Sequence, residues 1–362
     1  MILPLHEFHE SLGARFTTVN DTEAVADYGD SLTEYRALRE TAGVLDLSFR
    51  SRLCLLGADR VRYLHGQVTN DVKKLRPGEG CYAALVTTKG KMESDLNIFV
   101  LADEVLLDFE PGLTRLITER LEKYIVADDA QVVDVTQHYG LLSVQGPQAG
   151  AAVSALGLFT ELPANEFGSI KTSDATLGEV YLMNYQRLGT AGFDVFVPSS
   201  AVAAVADKLI AAAQSTGGCA CGWSAFETAR IEAGIPRFGA DMDETNIPLE
   251  CGIEARAISY SKGCYIGQEV INRIHSIGHV NRELRGLHLA DDLKTLPVRG
   301  EKLFKDGKEV GHITSAVLSP ALGRRIALGY VRREANASGT ELVLHASGIE
   351  SAARVVGLPF GS

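Results

Sequence analysis

The chain has 362 residues, 46% of them hydrophobic and 22% charged, with a formal net charge of -11. That length exceeds what one hydrophobic core usually serves and points to two or three domains. The acidic balance argues against reliance on nonspecific phosphate contacts, and no apolar run is long enough to span a bilayer.

The six cysteines are scattered, and Glu7 and Glu10 interrupt the first 20 residues. The expectation is a cytoplasmic protein with free thiols, no secretory leader and no membrane insertion.

In chain order, residues 4–14 read as a short helix with Leu5, Phe8 and Leu12 on one face. Residues 20–40 hold a polar connection and then a helix over 31–40. Residues 43–48 read as a strand entering a turn. The apolar run 52–57 ends in glycine and precedes a helix over 58–67. Turn formers at 68–71 follow, then a hairpin with strands over 80–86 and 95–101 around the turn 87–92. A further strand is expected over 105–109 and a helix over 113–124.

A second strand–glycine–helix run covers 139–156, which suggests an α+β arrangement with helices over one face of a sheet. Strands over 178–185 and 193–198 flank a turn at 187–190. An alanine-rich helix over 200–214 ends at Gly217-Gly218. Trp223 opens a helix reaching Gly234, capped near Ser224. After residue 282 short strands separated by turns predict a small, partly closed β-barrel, with the boundary at 281–284.

Two places carry candidate chemistry. Lys262-Gly263-Cys264-Tyr265-Ile266-Gly267-Gln268-Glu269 sets one thiol between glycines before a helix expected from about Ile266. Free backbone donors at a helix start favour a thiolate, and Lys262 adds positive charge. The competing reading is a thiol that only packs. Asp95, with Asn70 and Asp71 as neighbours, could accept hydrogen bonds from a heterocycle, bind an amine or exchange a proton. The competing reading is a turn cap. Lys89 and Lys91 could draw an anionic tail, although charged hairpins are common on surfaces.

Other patterns are weak. Cys219-x-Cys221 lacks the partners of a zinc site. The loop 241–246 lacks the glycine and terminal glutamate of a calcium loop. Gly263 and Gly267 do not form a dinucleotide fingerprint.

The octapeptide 262–269 resembles the signature of the YgfZ/Iba57 family. These are folate-binding proteins of iron–sulfur cluster assembly and repair, related to the aminomethyltransferase (T-protein) of the glycine cleavage system. Supporting segments are Leu64-His65-Gly66-Gln67-Val68-Thr69-Asn70-Asp71, Lys89-Gly90-Lys91-Met92, Ser143-Val144-Gln145-Gly146-Pro147 and Arg230-Ile231-Glu232-Ala233-Gly234-Ile235-Pro236. The resemblance implies an aminomethyltransferase-like α+β fold. Two interleaved α/β parts over residues 1–282 would surround a central channel, and residues 283–362 would form a C-terminal β-barrel.

The implied cofactor is tetrahydrofolate or a derivative, held by Asn70, Lys91, Asp95, Arg187, Glu227 and Arg230. Cys264 and Asp95 would serve the chemistry. The implied partners are iron–sulfur clients or assembly proteins, with no permanent metal site and no nucleic acid.

The chain departs from true aminomethyltransferases at four places. It has Ser94-Asp95-Leu96 for Asp-Asp-Leu, Gly189-Thr190-Ala191-Gly192 for Gly-Glu-x-Gly, and Phe226-Glu227-Thr228 for Arg-Asp-Thr. It also has Cys264-Tyr265-Ile266-Gly267 for Asp-Phe-Ile-Gly. Two other readings stand beside the first: an aminomethyltransferase or related folate-dependent one-carbon transferase, and a non-catalytic adaptor.

Overall fold

The computed structural model describes residues 2–360. It divides into two units that interleave along the chain. One takes the chain up to Ala83 together with Ser94–Ala229; the other takes Ala84–Glu93 and the chain from Arg230 onward.

The first unit holds a six-stranded sheet in the order Ser169–Asp174, Gly178–Asn184, Gly192–Pro198, Tyr139–Gln145, Gly43–Asp46, Cys219–Ala220. All neighbours are antiparallel except the last, short pair. Val44, Val144, Val195 and Val197 project from this sheet into one core with the helices Ala149–Ser154 and Val202–Ser215. β-Branched residues suit the strands, and the alanine-rich helix lets the layers approach closely.

Gly146 joins the strand Tyr139–Gln145 to the helix Ala149–Ser154. Its φ is +122°, and a Cβ there would lie 2.5 Å from the carbonyl oxygen of Thr41, so only glycine makes this turn. The strand Ser51–Leu56 runs through Gly57 into the helix Arg60–Gln67 in the same manner. This strand lies in a second sheet of five, in the order Glu79–Val86, Met92–Val100, Val105–Phe109, Ser51–Leu56, Gln131–Asp134.

The helix Ser31–Glu40 falls where a helix was expected. Asp30 caps it, accepting hydrogen bonds from the Leu32 and Thr33 amides at 3.1 Å each. The segment before it is not a plain connection. Arg15–Val19 and Thr22–Asp27 pair as a hairpin, turning at Asn20 and Asp21, both at positive φ. Asn and Asp tolerate that conformation better than most residues. Ser169–Asp174 is a strand where none was expected; it sits at a sheet edge, and after the buried Ser169 it alternates half-buried with exposed residues, several of them polar.

The second unit contains a closed barrel rather than a partly open one. Its strands run in the order Arg282–Leu289, Arg324–Arg332, Lys308–Ser319, Lys302–Lys305, Glu341–Ala346, Ile349–Val356. Closure comes from the last strand, which pairs antiparallel with the first through Gly286–Val356 to Leu289–Ala353. Leu287, Leu303, Ile313, Val331, Leu344 and Val355 fill the interior. The strict alternation of exposed and buried residues along Glu341–Ala346 is the two-residue period of a strand with one wet face. Among the described residues, no helix is long and apolar enough to cross a membrane.

Candidate active site

Three of the residues singled out in the sequence lie in the first unit beside a buried charge network. Asp108 stands in the otherwise apolar strand Val105–Phe109, and Asp194 in the strand Gly192–Pro198. Both are fully buried. A carboxylate in such a place needs a cation, and two arginines supply it. Arg187 donates from Nε to both oxygens of Asp194 at 3.0 and 3.1 Å, and from Nη2 to Asp194 at 2.6 Å and to Asp108 at 3.0 Å. Arg50 donates from Nε to Asp108 at 2.8 Å and from Nη1 to Glu110 at 2.6 Å. Asn97 adds a third donor to Asp108 at 2.8 Å. Burial alone would raise the Asp108 carboxyl; Arg50 and Arg187 outweigh it and hold the group well below the usual carboxylate range.

Asp95 borders this network. Tyr82 donates its hydroxyl to Asp95 Oδ2 at 2.8 Å, while the Tyr82 carbonyl accepts from Asn70 Nδ2 at 2.8 Å. One tyrosine therefore ties Asn70 and Asp95 together. The residue as a whole is half-buried, but its Oδ1 is shielded and has no hydrogen-bond partner. Burial, then the negative charge of Glu110, pushes the Asp95 carboxyl up to about 6, against the opposing pull of Tyr82 and Arg50. A carboxyl so poised changes protonation near neutral pH, which suits proton exchange and amine binding. Thr190, in the segment that departs from the transferase pattern, also has a shielded hydroxyl without a partner.

The remaining candidates are more dispersed. Arg187 faces Asp194 and Asp108 with Nε and Nη2, so these donors serve the framework. Glu227 is half-buried on the helix Trp223–Glu232. Arg230, near the end of that helix, belongs to the second unit and is buried there. It pairs closely with Asp241 and donates to Ser315 Oγ at 2.9 Å; Asp241 in turn accepts from Thr314 and Ser315. Lys91, also in the second unit, donates to the Thr245 carbonyl at 2.5 Å.

Cys264 is exposed. The helix after it begins at Gln268 with Gly267 as N-cap, two residues later than expected, so Cys264 lies before the first turn. The Lys262 ammonium sits over the Tyr265 ring, 4.6 Å from its centroid. His275 Nδ1 lies 2.9 Å from Glu254 Oε1, and its ring stacks on Tyr260.

What the octapeptide requires is visible at Gly267. Its φ is +84°, and a Cβ would lie 2.5 Å from the Thr87 carbonyl oxygen and 2.9 Å from Val86 Cγ2. Gly267→Ala is expected to cost about 2 kcal/mol or more, from the left-handed backbone and the overpacking together. Chemical denaturation of the two proteins measures it; an unchanged midpoint would show that this close approach does not constrain the segment.

Sequence reasoning missed Arg50, Tyr82, Asp108, Glu110 and Asp194. The available signal was the charge itself: an acidic residue inside an apolar strand is rarely buried without a partner.

Comparison with known proteins extends these observations. The family model described as "GCVT N-terminal domain" matches residues 5–262, and "Glycine cleavage T-protein C-terminal barrel domain" matches residues 282–361. The chain is similar to the aminomethyltransferase of Shouchella clausii, with 28% identity over 99% of this chain and 96% of that one. It is also similar to that of Symbiobacterium thermophilum, with 30% identity and the same coverage. Its fold matches the crystal structure of glycine cleavage system aminomethyltransferase T from Bartonella henselae at a TM-score of 0.90. That match has 25% identity and covers 99% of this chain and 98% of that one.

The expected architecture, an aminomethyltransferase-like α+β fold with interleaved parts and a C-terminal barrel, is the one observed. The assignment to the YgfZ/Iba57 family is corrected by the same matches, and the iron–sulfur reading loses its support with it. A local constraint such as the Gly267 turn makes an octapeptide distinctive without assigning it an iron–sulfur task. Among the described residues, no group of three His, Cys, Asp or Glu side chains is placed to hold a metal ion. The chain belongs to the glycine cleavage T-protein family.

Proposed function

We propose that this protein is a folate-dependent one-carbon transferase of the aminomethyltransferase type. The observation that carries the reading is Asp95: a shielded carboxyl poised near neutral pH, with one oxygen held by Tyr82 and the other without a partner. The likeness to aminomethyltransferases supports it, because the chain spans nearly the whole of each.

The residues present fit a reduced folate. The partnerless Asp95 Oδ1 and Thr190 Oγ1 are shielded polar atoms of the kind that the N–H and carbonyl groups of a heterocycle satisfy. Asp95 and Asn70 would hold the ring, and Tyr82 would fix the orientation of both. When bound, a reduced folate supplies the nitrogen that accepts a one-carbon unit. The chain's own contribution is to orient that ring and to hold or move a proton at Asp95 Oδ1. The threonine at position 190 leaves a neutral hydroxyl where related transferases have a carboxylate, so Asp95 carries more of the electrostatic recognition.

Calorimetric titration with tetrahydrofolate at neutral pH tests this reading. Saturable binding at one site, weakened about tenfold or more in Asp95→Asn, is expected, since a hydrogen bond to a charged group contributes about 1.5–3 kcal/mol. Absence of heat up to millimolar folate would sink the proposal.

A further inference from the structure

Two cysteines in the first unit stand apart from the Asp95 group. Cys219 and Cys221 flank Ala220 at the short strand Cys219–Ala220, the last in the six-stranded sheet. Side chains two apart along a strand project to the same face. Here that brings the two sulfurs to 3.9 Å from each other, in van der Waals contact, with both thiols free.

The two thiols are not equivalent. Cys219 is half-buried, whereas Cys221 is 1% exposed. The Cys221 thiol lies against the Glu34 carbonyl at 3.3 Å and the Cys219 carbonyl at 3.5 Å. A Cβ on Gly43 would lie 2.7 Å from the Cys221 sulfur, so that sulfur fills the space a side chain there would need. This packing holds it beside its partner. The hydrogen bond between the thiols pulls the Cys219 thiol down, against burial and the negative charges of Glu34 and Asp30. Burial pushes the Cys221 thiol up. Cys219 is therefore the attacking sulfur and Cys221 the one that resolves.

The backbone sets how lasting a bond between them is. Residues two apart in a strand stand about 6.6 Å apart at Cα, close to the upper limit of about 6.8 Å for a disulfide. Closing the sulfurs from 3.9 Å to a bond of about 2.05 Å draws the strand in. The amides of Cys219 and Cys221, held by the Ala42 and Val44 carbonyls at 3.2 and 2.8 Å, oppose that movement. A disulfide closed against such resistance is strained and readily reduced.

We propose that Cys219 and Cys221 form a reversible dithiol–disulfide pair, oxidised by low-molecular-weight disulfides, that alters the entry to the helix Trp223–Glu232. The Cys219 thiolate attacks one sulfur of the external disulfide RSSR and releases RS⁻, which takes up the Cys219 proton. Cys221 then attacks the Cys219 sulfur, and its proton leaves with the second RSH. One external disulfide is reduced to two thiols while the two cysteines are oxidised to one bond. The drawn-in strand leads through Gly222 into Trp223, whose ring packs on Phe49 at a centroid distance of 5.5 Å and on Phe226 at 4.9 Å. The pair is independent of the folate reading, since neither cysteine belongs to the Asp95 group.

The test treats the reduced full-length protein with bis(2-hydroxyethyl) disulfide, whose neutrality sets aside the charges of Glu34 and Asp30. Remaining thiols are blocked with iodoacetamide, and intact mass and unreduced peptides are read. The expected product has lost two hydrogens, carries a Cys219–Cys221 bond and returns to the dithiol in dithiothreitol. Cys264→Ser, which removes the exposed thiol as a competing target, should give the same bond. Cys221→Ser should stop at a mixed disulfide on Cys219, and Cys219→Ser should leave Cys221 unmodified. If Cys221→Ser fails to fold, Cys219→Ser at the half-buried position still decides. Trp223 is the only tryptophan, so its emission should change on oxidation of the wild type and stay constant in Cys219→Ser. Both cysteines alkylated after treatment, or Cys221 modified equally in Cys219→Ser, overturns the proposal. A bond formed with unchanged emission overturns its link to the helix.

Discussion

Arg187→Met should lower the stability of this protein by about 3–5 kcal/mol, the cost of removing one partner from a buried ion pair. The cause is what the substitution leaves behind. Asp108 keeps Arg50 and Asn97, but Asp194 loses the guanidinium that holds both its oxygens. Burial already pulls the Asp194 carboxyl upward against the attraction of Arg187. Without that attraction it rises further, so the folded variant holds a proton that the unfolded chain has released. A group of this kind loses stability as pH rises from the ordinary aspartate range through its raised folded value. The deficit should therefore be smaller at pH 5 than at pH 8. Urea denaturation at both values measures it. Arg187→Met with Asp194→Leu should recover much of the loss, because two apolar groups of similar volume replace the pair. A deficit below about 1 kcal/mol, equal at both pH values, would show that the network does not bear on stability.

The outline of the fold was legible in the sequence because it rests on local pattern. A helix over 31–40 and short strands separated by turns after residue 282 were expected, and the helix Ser31–Glu40 and the barrel strands lie there. Where pattern was weak, the reading missed. Arg15–Val19 and Thr22–Asp27 are largely polar strands, and only the Asn20-Asp21 turn betrays them. The barrel's closure depends on a pairing between the first and last of its strands, which no local window contains.

The site divides in the same way. Asp95 and Asn70 stood out as polar residues beside a turn, and the structure joins them through Tyr82. The charge network was not legible because its partners are distant in the chain: Arg50 meets Asp108 across 58 positions. Arg52 shows the limit from the other side. It reads as the start of an apolar strand, and only the geometry reveals that two of its nitrogens face no acceptor. The octapeptide around Cys264 was distinctive for a different reason. Gly267 must pass within van der Waals reach of Thr87, which constrains the segment and leaves the thiol's task unspecified.

The second large effect is expected at Asp95. Asp95→Asn preserves shape and removes the charge. Under the proposed function, kcat/KM for tetrahydrofolate-dependent one-carbon transfer should fall about a hundredfold or more, the usual range for losing a positioned acid or base. The wild-type profile should rise with pH through about 6, where the carboxyl becomes the proton acceptor, and the variant should lose that limb. Stability should move oppositely. The folded value of about 6 lies above the ordinary aspartate value of 3.8, so the native state keeps a proton that the unfolded chain has shed between those limits. Wild-type stability then falls as pH rises through that window, by about 3 kcal/mol in all, and stays lower above it. The asparagine variant lacks this slope and should gain on the wild type by most of that amount, about 2 kcal/mol, between pH 4 and pH 7. A variant that is less active and also less stable at pH 7 would mean that Asp95 serves the fold. One that is less active and more stable would mark a carboxylate kept at a cost to the fold for what it does to a bound ligand.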